Sequence, residues 1–316
     1  MVHLCLELPC KVTQKRDRNR LLWEIDYLCT MENKGYPEVN LDSWIKVGEG
    51  GNGVTYEHPD KPDLLLKLNN GRSSSYEVVK EEFDTSAAVS RLGLPTPAMY
   101  EMVRVGDAYA TVSQKIKNKK SLFRICHDQP ERLEEMAQLF CEQGRILFST
   151  PCDTSVFPSK KALFMGVVDK ATFISRKNRE ILRRFVEGVP ENTHCIHGDF
   201  QPGNIILSEE KCYWIDLGRF SWGDPMFDIG HLYNSCIVYS NMKQARELFH
   251  MTQQQLHDFW DAFAKAYTGK QEHGDFDREA ARFGAVDIVS RIAYVPPTLP
   301  EKIYFRILLG SLMKFF

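Results

Sequence analysis

The chain has no C-x-x-C pair and no apolar run near the roughly 20 residues that span a bilayer. Its nine cysteines are an odd number without paired spacing, which favours reduced thiols and a cytoplasmic setting over a disulfide framework. Neither sign of charge dominates. The formal net charge is −2 over 316 residues, so a nucleic-acid partner is not expected. No internal repeat and no low-complexity tract occur. Residues 1–10 are mildly apolar but lack a preceding basic segment and are interrupted by Glu7, a poor signal peptide. The C-terminal IYFRILLGSLMKFF carries Arg306 and Lys314. It reads as a core or subunit-contact helix, with no membrane partner expected and the oligomeric state left open. What remains is an ordinary globular chain, long enough for two lobes with a core each.

Residues 1–30 fit poorly with the rest of the chain and read either as a helical N-terminal extension, with a partial helical period in Leu21, Leu22, Ile25 and Leu28, or as a stretch after an upstream start that is not used. The recognisable domain begins near Met31 with a polar lead-in, and from 44 to 114 short strands dominate. Residues 44–47 lead into Gly48-Glu49-Gly50-Gly51-Asn52-Gly53, 54–56 return, 58–63 form a turn cluster, and 64–68 make the next strand. Residues 75–92 read as a helix stopped at Gly93, before Pro95 and Pro97. Met99–Val105 and Ala108–Gln114 flank a Gly106-Asp107 hairpin turn. After 115 the pattern turns helical. Long amphipathic candidates lie at 130–148 and 169–187, with short strands at 205–207 and 212–215. The region 243–316 is helical again. Thr252 and Gln255 form a capping box ahead of Leu256, Phe259, Trp260, Phe263, Ala264 and Tyr267, which share one helical face. The expected class is α+β: a strand-rich N-lobe of residues 31–114, a larger helical C-lobe of 115–316, and chemistry at the join.

That chemistry is carried by His197-Gly198-Asp199-Phe200-Gln201-Pro202-Gly203-Asn204, followed by Asp216-Leu217-Gly218 at the end of an apolar run. A carboxylate, an amide and a second carboxylate in this order suit phosphoryl transfer from ATP with Mg2+. One group orients a hydroxyl, and two hold metal against the phosphates. Asp199 is therefore the candidate catalytic residue, and Asn204 and Asp216 are the candidate Mg2+ ligands. Gly48, Gly50 and Gly53 match a phosphate-binding loop. A dinucleotide fingerprint would open a helix after them, whereas Val54-Thr55-Tyr56 and a Pro-rich turn follow. That points to a strand-turn-strand flap over phosphates.

Lys67 stands alone among leucines, placed for the α- and β-phosphates. It calls for a carboxylate on the following helix: Glu77, Glu81 or Glu82, of which Glu82 is preferred. His197 reads as a packed histidine that shapes the loop, and Gly198 and Gly203 as turn residues. Asp224 reads as an N-cap before Pro225, and Asp228 as a brace on the loop's backbone N–H groups. Cys195 reads as a core thiol, and Lys115, Lys117, Lys119 and Lys120 as a solvated loop.

The set His197-Gly198-Asp199-x-x-x-x-Asn204, Ile215-Asp216-Leu217-Gly218 and Gly223-Asp224-Pro225-x-x-Asp228 resembles the aminoglycoside phosphotransferase / choline kinase family, over roughly residues 44–235. The resemblance implies a protein-kinase-like bilobal fold, with an antiparallel-sheet N-lobe and a mainly helical C-lobe. It implies ATP or GTP with Mg2+, and transfer of the γ-phosphate to a hydroxyl of a small-molecule acceptor. By matching position, Asp199 is the catalytic Asp, Asn204 and Asp216 the metal ligands, and Lys67 the phosphate-binding lysine. Residues 114–118, with Gln114 and Ile116, would be the hinge that reads adenine.

The acceptor stays open between aminoglycoside-like, choline- or ethanolamine-like and sugar-like compounds, because the helices after 240 match no particular member. A protein kinase is disfavoured: there is no A-P-E, and only six residues, Leu217 to Trp222, separate Asp216 from Gly223. The alternative is a catalytically silent nucleotide-binding module of the same fold. Against it, every catalytic position holds a competent residue.

Overall fold

Five antiparallel strands form the first layer of the computed structural model, which describes residues 35–50, 53–69, 75–209, 211–294 and 299–316. They are β1 (Ile45–Gly50), β2 (Gly53–His58), β3 (Lys61–Asn69), β4 (Met99–Val105) and β5 (Ala108–Gln114), in the order β1-β2-β3-β5-β4. The extension read at 1–30 lies outside the described residues. Side chains alternate across the central strand, as the two-residue period of a strand requires. Leu66 is fully buried on the outer face with Val103, Ala110 and Val112, under a cover that includes Val39, Leu41 and Trp44. Lys67 points the other way, registered between Thr55 on β2 and Thr111 on β5. Helix α1 (Tyr76–Arg91) ends before Gly93, whose φ of +82° takes the left-handed turn.

The second lobe is helical, with short strands at the join. In chain order it holds β6 (Lys120–Ser121), α2 (Leu122–Asp128), α3 (Leu133–Ser149), α4 (Lys160–Val168), α5 (Arg176–Glu187), β7 (Cys195–Ile196), β8 (Ile205–Ser208), β9 (Lys211–Trp214) and β10 (Ser221–Trp222). It continues with α6 (Met226–Tyr233), a turn of π-helix (Asn234–Val238), α7 (Lys243–Phe249), α8 (Gln253–Thr268), α9 (Gly274–Tyr294) and α10 (Leu299–Met313). One apolar cluster runs through it. Phe200, next to Asp199, is driven into that cluster, with ring centroids 4.3 Å from Phe140 and 5.7 Å from Trp214. A buried aromatic at this position anchors the loop; truncating it to Ala would cost about 3–5 kcal/mol. No helix among the described residues is long and apolar enough to cross a membrane. The last helix buries Leu309 and Leu312 and exposes Ile303 and Ile307.

The architecture is the α+β, protein-kinase-like one, and two boundaries and one helix differ from the sequence reading. The turn cluster at 58–63 is only a two-residue turn at 59–60, because Lys61 already pairs with His58 across the hairpin. The helix expected at 169–187 begins at Arg176. Ser175 caps it by accepting from Asn178 N at 3.1 Å, and 169–175 is a run of tight turns. Helix α4, just before those turns, was not expected. The capping box opens α8 as read, with Thr252 and Gln255 bonding reciprocally.

Candidate active site

A cavity of about 280 Å³ lies between the sheet and the C-lobe strands. Its upper wall is the face of the sheet opposite Leu66: Gly53, Thr55, Leu65, Lys67, Thr111 and Ser113. Its floor is Ile206, Trp214, Ile215, Asp216 and Leu217. At Gly53 a Cβ would stand 2.5 Å from Leu68 O, so only glycine lets β2 approach β3 there. Gly48 and Gly50 lie on β1, with Gly50 paired to Gly53, and Gly48 does not line the cavity. The strand-turn-strand geometry holds on both sides of the two turn residues, which lie outside the described set.

Lys67 Nζ donates to Glu82 Oε1 at 2.6 Å and to Asp216 Oδ1 at 3.0 Å. Glu82 is itself fixed by Asn69 Nδ2 at 3.0 Å. Burial pushes the Lys67 ammonium down, but Asp216 and Glu82 outweigh it and hold its pKa above the usual lysine range. Gln114 and Ile116 line the far end of the cavity. The Gln114 side chain accepts from Ala98 N at 3.3 Å, and the Lys115 N–H is taken by Asp63 O at 2.8 Å. Of the four lysines read as a solvated loop, Lys115, Lys117 and Lys120 pair with Glu57, Asp63 and Asp128. Lys119 lines the cavity.

The loop after β7 is tied from three sides. Asp228, 1% exposed at the start of α6, accepts from His197 N at 2.5 Å and Gly198 N at 2.8 Å. Gly198 has φ +77°, and a Cβ there would meet Arg219 O at 2.1 Å, so no other residue can make this turn. Gly203, by contrast, has no left-handed φ and sits in a single 3-10 turn, Pro202–Asn204. His197 is fully buried. Its Nε2 donates to Ile215 O at 3.0 Å and its Nδ1 accepts from Asp199 N at 3.3 Å. Burial lowers its pKa, which suits that neutral tautomer. Asn204 Nδ2 donates to both Asp199 O (2.8 Å) and Asp199 Oδ2 (2.9 Å), and Asn204 O accepts from Ile215 N at 3.0 Å. Asp224 Oδ1 accepts from Met226 N at 2.9 Å, while the capping position proper falls on Pro225.

Behind Asp199 lies a network that the sequence did not announce. Arg291 Nη2 donates to Asp199 Oδ1 at 2.8 Å, and Arg291 Nε to Asp287 Oδ1 at 2.9 Å. His231 Nε2 lies 3.1 Å from Asp199 Oδ1, and His231 Nδ1 lies 3.1 Å from Asp287 Oδ2. Asn234, in the π-helical turn, adds a bond to Asp287 Oδ2 at 3.0 Å. Burial alone would raise the Asp199 pKa, but Arg291, His231 and His197 hold it well below the usual carboxylate range. Burial and Arg291 push His231 down, while Asp287 and Asp199 outweigh them and raise it.

The site thus joins a half-buried, cation-gripped aspartate to a lysine–glutamate–aspartate cluster on a cavity. Residues 169–280 match the phosphotransferase enzyme family. No curated protein matches the chain in sequence. Among solved structures it is similar to the aminoglycoside phosphotransferase APH(4)-Ia, in a ternary complex of a thermostable mutant with ADP and hygromycin B: 12% identity, 87% of this chain and 94% of that one, TM-score 0.57. It is similar to a choline/ethanolamine kinase family protein from Mesorhizobium loti, at 14% identity, 92% of each chain and TM-score 0.51. It is similar to the GDP complex of an aminoglycoside 2'-phosphotransferase-IIIa mutant, at 16% identity, 94% and 97% of the two chains and TM-score 0.53. At these identities the likeness carries the fold.

Within the phosphotransferase match lie the whole loop, Asp216, Asp228 and His231; Arg291 and Asp287 lie beyond it. Their signal in the sequence was faint but present. Asp287, Ser290 and Arg291 interrupt the otherwise apolar Gly284-Ala285-Val286-Asp287-Ile288-Val289-Ser290-Arg291-Ile292, with Asp287 and Arg291 four apart on one helical face. A buried helix spends polar side chains only where they find partners.

Proposed function

We propose that this protein is a small-molecule kinase: an ATP-dependent phosphotransferase that moves the γ-phosphate to a hydroxyl of a small molecule. The observation that carries this is the Lys67–Glu82–Asp216 cluster on the inter-lobe cavity, joined through Ile215 and Asn204 to the Asp199 loop. Lys67 would hold the α- and β-phosphates, and Gly48, Gly50 and Gly53 would close over them from β1 and β2. Gln114 and Ile116 would meet the base at the far end of the cavity.

Asn204 and Asp216 fit Mg2+. The Asn204 amide nitrogen is fully used by Asp199, so its oxygen is the group left for a hard cation. Asp216 brings one carboxylate, and Mg2+ commonly takes one or two carboxylates plus phosphate oxygens. When bound, ATP with Mg2+ supplies the phosphoryl group and neutralises its charge. Asp199 would orient the acceptor hydroxyl. Its lowered pKa makes it a weak base, which suits a reaction in which positioning outweighs proton abstraction.

The test is Mg2+-dependent ATP consumption with acceptor panels, together with thermal stabilisation by ATP-Mg2+. Turnover that disappears in Asp199→Asn and Asp216→Asn supports the reading. Full activity in both variants overturns it. Stabilisation without turnover for any acceptor would point instead to a silent nucleotide-binding module.

A further inference from the structure

Four of the residues that line the inter-lobe cavity carry a charge: Lys67, Glu82, Lys119 and Asp216. Three of them are bonded to one another. Lys67 Nζ bridges Glu82 Oε1 at 2.6 Å and Asp216 Oδ1 at 3.0 Å. Lys119 makes no hydrogen bond or ion pair with the described residues. The other lysines of its loop do. Lys115 meets Glu57 at 2.6 Å, Lys117 meets Asp63 at 2.6 Å and Lys120 meets Asp128 at 2.7 Å.

The backbone fixes Lys119 at this spot from both sides. Ser208 Oγ donates to Lys117 O at 2.6 Å. Lys120 pairs with Leu207, and Ser121 with Ile206, which belongs to the cavity floor. Between these ties Asn118 takes a left-handed φ of +50°, so the chain turns just before Lys119. The side chain is exposed at the mouth of the cavity, and Asp216 is close enough to act on its charge. Water serves an exposed ammonium well, so the missing partner matters only because of where Lys119 stands. Lys67 reaches into the cavity from the sheet, and Lys119 stands beside the floor strand β8. If Asp216 turns to a metal ion, Lys67 keeps Glu82. Lys119 is then the one cation of the described cavity wall with no carboxylate to satisfy.

We propose that Lys119 is a second lysine for the nucleotide: its ammonium bonds the phosphate chain from the C-lobe side of the cavity mouth, opposite Lys67. This rests on the phosphotransferase reading of the same cavity. A phosphate oxygen offers an ammonium a charge-assisted hydrogen bond, about twice as strong as a neutral one. The flexible stem of a lysine lets it follow that oxygen as a point charge. The lysine read from the sequence as part of a solvated loop thereby becomes a positioning residue for the triphosphate.

The experiment titrates the full chain calorimetrically with adenosine, ADP and a non-hydrolysable ATP analogue, each with Mg2+. The wild type is compared with Lys119→Met, Lys119→Arg and Lys120→Met. In Lys119→Met, Kd for ADP and the analogue should rise about fivefold or more, and Kd for adenosine should change less than about twofold. Lys119→Arg should keep most of the affinity, and Lys120→Met all of it. In turnover, Lys119→Met should raise KM for ATP and leave kcat at saturating ATP in place. Ligand-free melting temperatures, expected to match the wild type because the side chain is exposed, keep this apart from misfolding.

Unchanged Kd for ADP and the analogue overturns the proposal. So does an equal loss for adenosine, which would put the lysine on the base or the ribose. A rise in KM for the acceptor alone overturns it too, by assigning Lys119 to the acceptor. So does a loss in Lys120→Met as large as in Lys119→Met, which would reflect the charge of the loop and no particular contact. The kinase reading stands apart from all of these outcomes while wild-type turnover persists and Asp216→Asn loses it. If the wild type neither binds nor turns over ATP-Mg2+, both readings fail together.

Discussion

Asp216 and Asp199 stand at neighbouring points of one site, yet their surroundings differ. Asp216 keeps 43% of its side chain exposed, sits at a left-handed φ of +57°, and is held by Lys67 from across the cavity. Asp199 keeps 26%, and its two oxygens are bonded by Arg291, His231 and Asn204, all from its own lobe. On the proposed phosphotransferase reading, the difference has a physical reason. A carboxylate that is to share a metal with incoming phosphates must be able to exchange its partner. A carboxylate that positions a hydroxyl gains from being fixed beforehand, since misplacement is costly in rate. The first is tethered by Lys67 from the other lobe, and the second is built into a network of its own lobe.

The most severe way to test the contrast is to remove each charge. Asp199→Asn should lower kcat by about 10²–10⁴-fold, with little effect on stabilisation by ATP-Mg2+. Asp216→Asn should lose activity to a similar degree and also lose that stabilisation. Equal loss of nucleotide binding in both variants would erase the distinction between them. Next in size is the brace. Asp228→Ala strands two buried backbone N–H groups, His197 N and Gly198 N. Each orphan costs about 1–3 kcal/mol, so chemical denaturation should show a loss of about 2–6 kcal/mol. A loss below 1 kcal/mol would mean that the loop is held by Phe200 and Asn204 instead.

A milder change sharpens the comparison. Arg291→Met removes the main cation from Asp199 and leaves its burial in place, so the Asp199 pKa should rise from its depressed value. The acid limb of the pH–rate profile should then move to higher pH, while Asp216, which Arg291 does not touch, should bind ATP-Mg2+ as before. An unmoved acid limb would show that Arg291 is only a structural tie.

Much of the Asp216 side was legible in the sequence, and much of the Asp199 side was not. Lys67, Glu82, Asp216 and the loop are marked by local spacing: an isolated lysine in an apolar strand, a helix after it, an Asp closing another apolar run. The β4–β5 hairpin was equally plain, because Gly106 supplies the left-handed residue its turn needs. Arg291 meets Asp199 across 92 positions, and His231 meets Asp287 across 56. No periodicity ties such pairs together; only the packing of α9 on α6 does. The overlong helix at 169–187 has a different cause. The amphipathic pattern extends back through 169–175, while the cap at Ser175 sets the true start.

The smallest expected effect concerns His231. Its folded pKa is raised because the Asp287 and Asp199 carboxylates outweigh burial and Arg291. A histidine whose folded pKa lies above its unfolded value, about 6.5, stabilises the fold fully below that value. The contribution is lost as pH rises through the folded pKa. The stability gap between the wild type and His231→Gln should therefore be widest below about pH 6.5 and shrink as pH climbs through the raised folded pKa. Urea denaturation at several pH values measures it directly. Because His231 bridges Asp199 and Asp287 and reaches nothing around Asp216, the same pH series on a Lys67→Met background should show the same narrowing. A gap that widens with pH would mean that His231 is held neutral, with Arg291 alone compensating both aspartates.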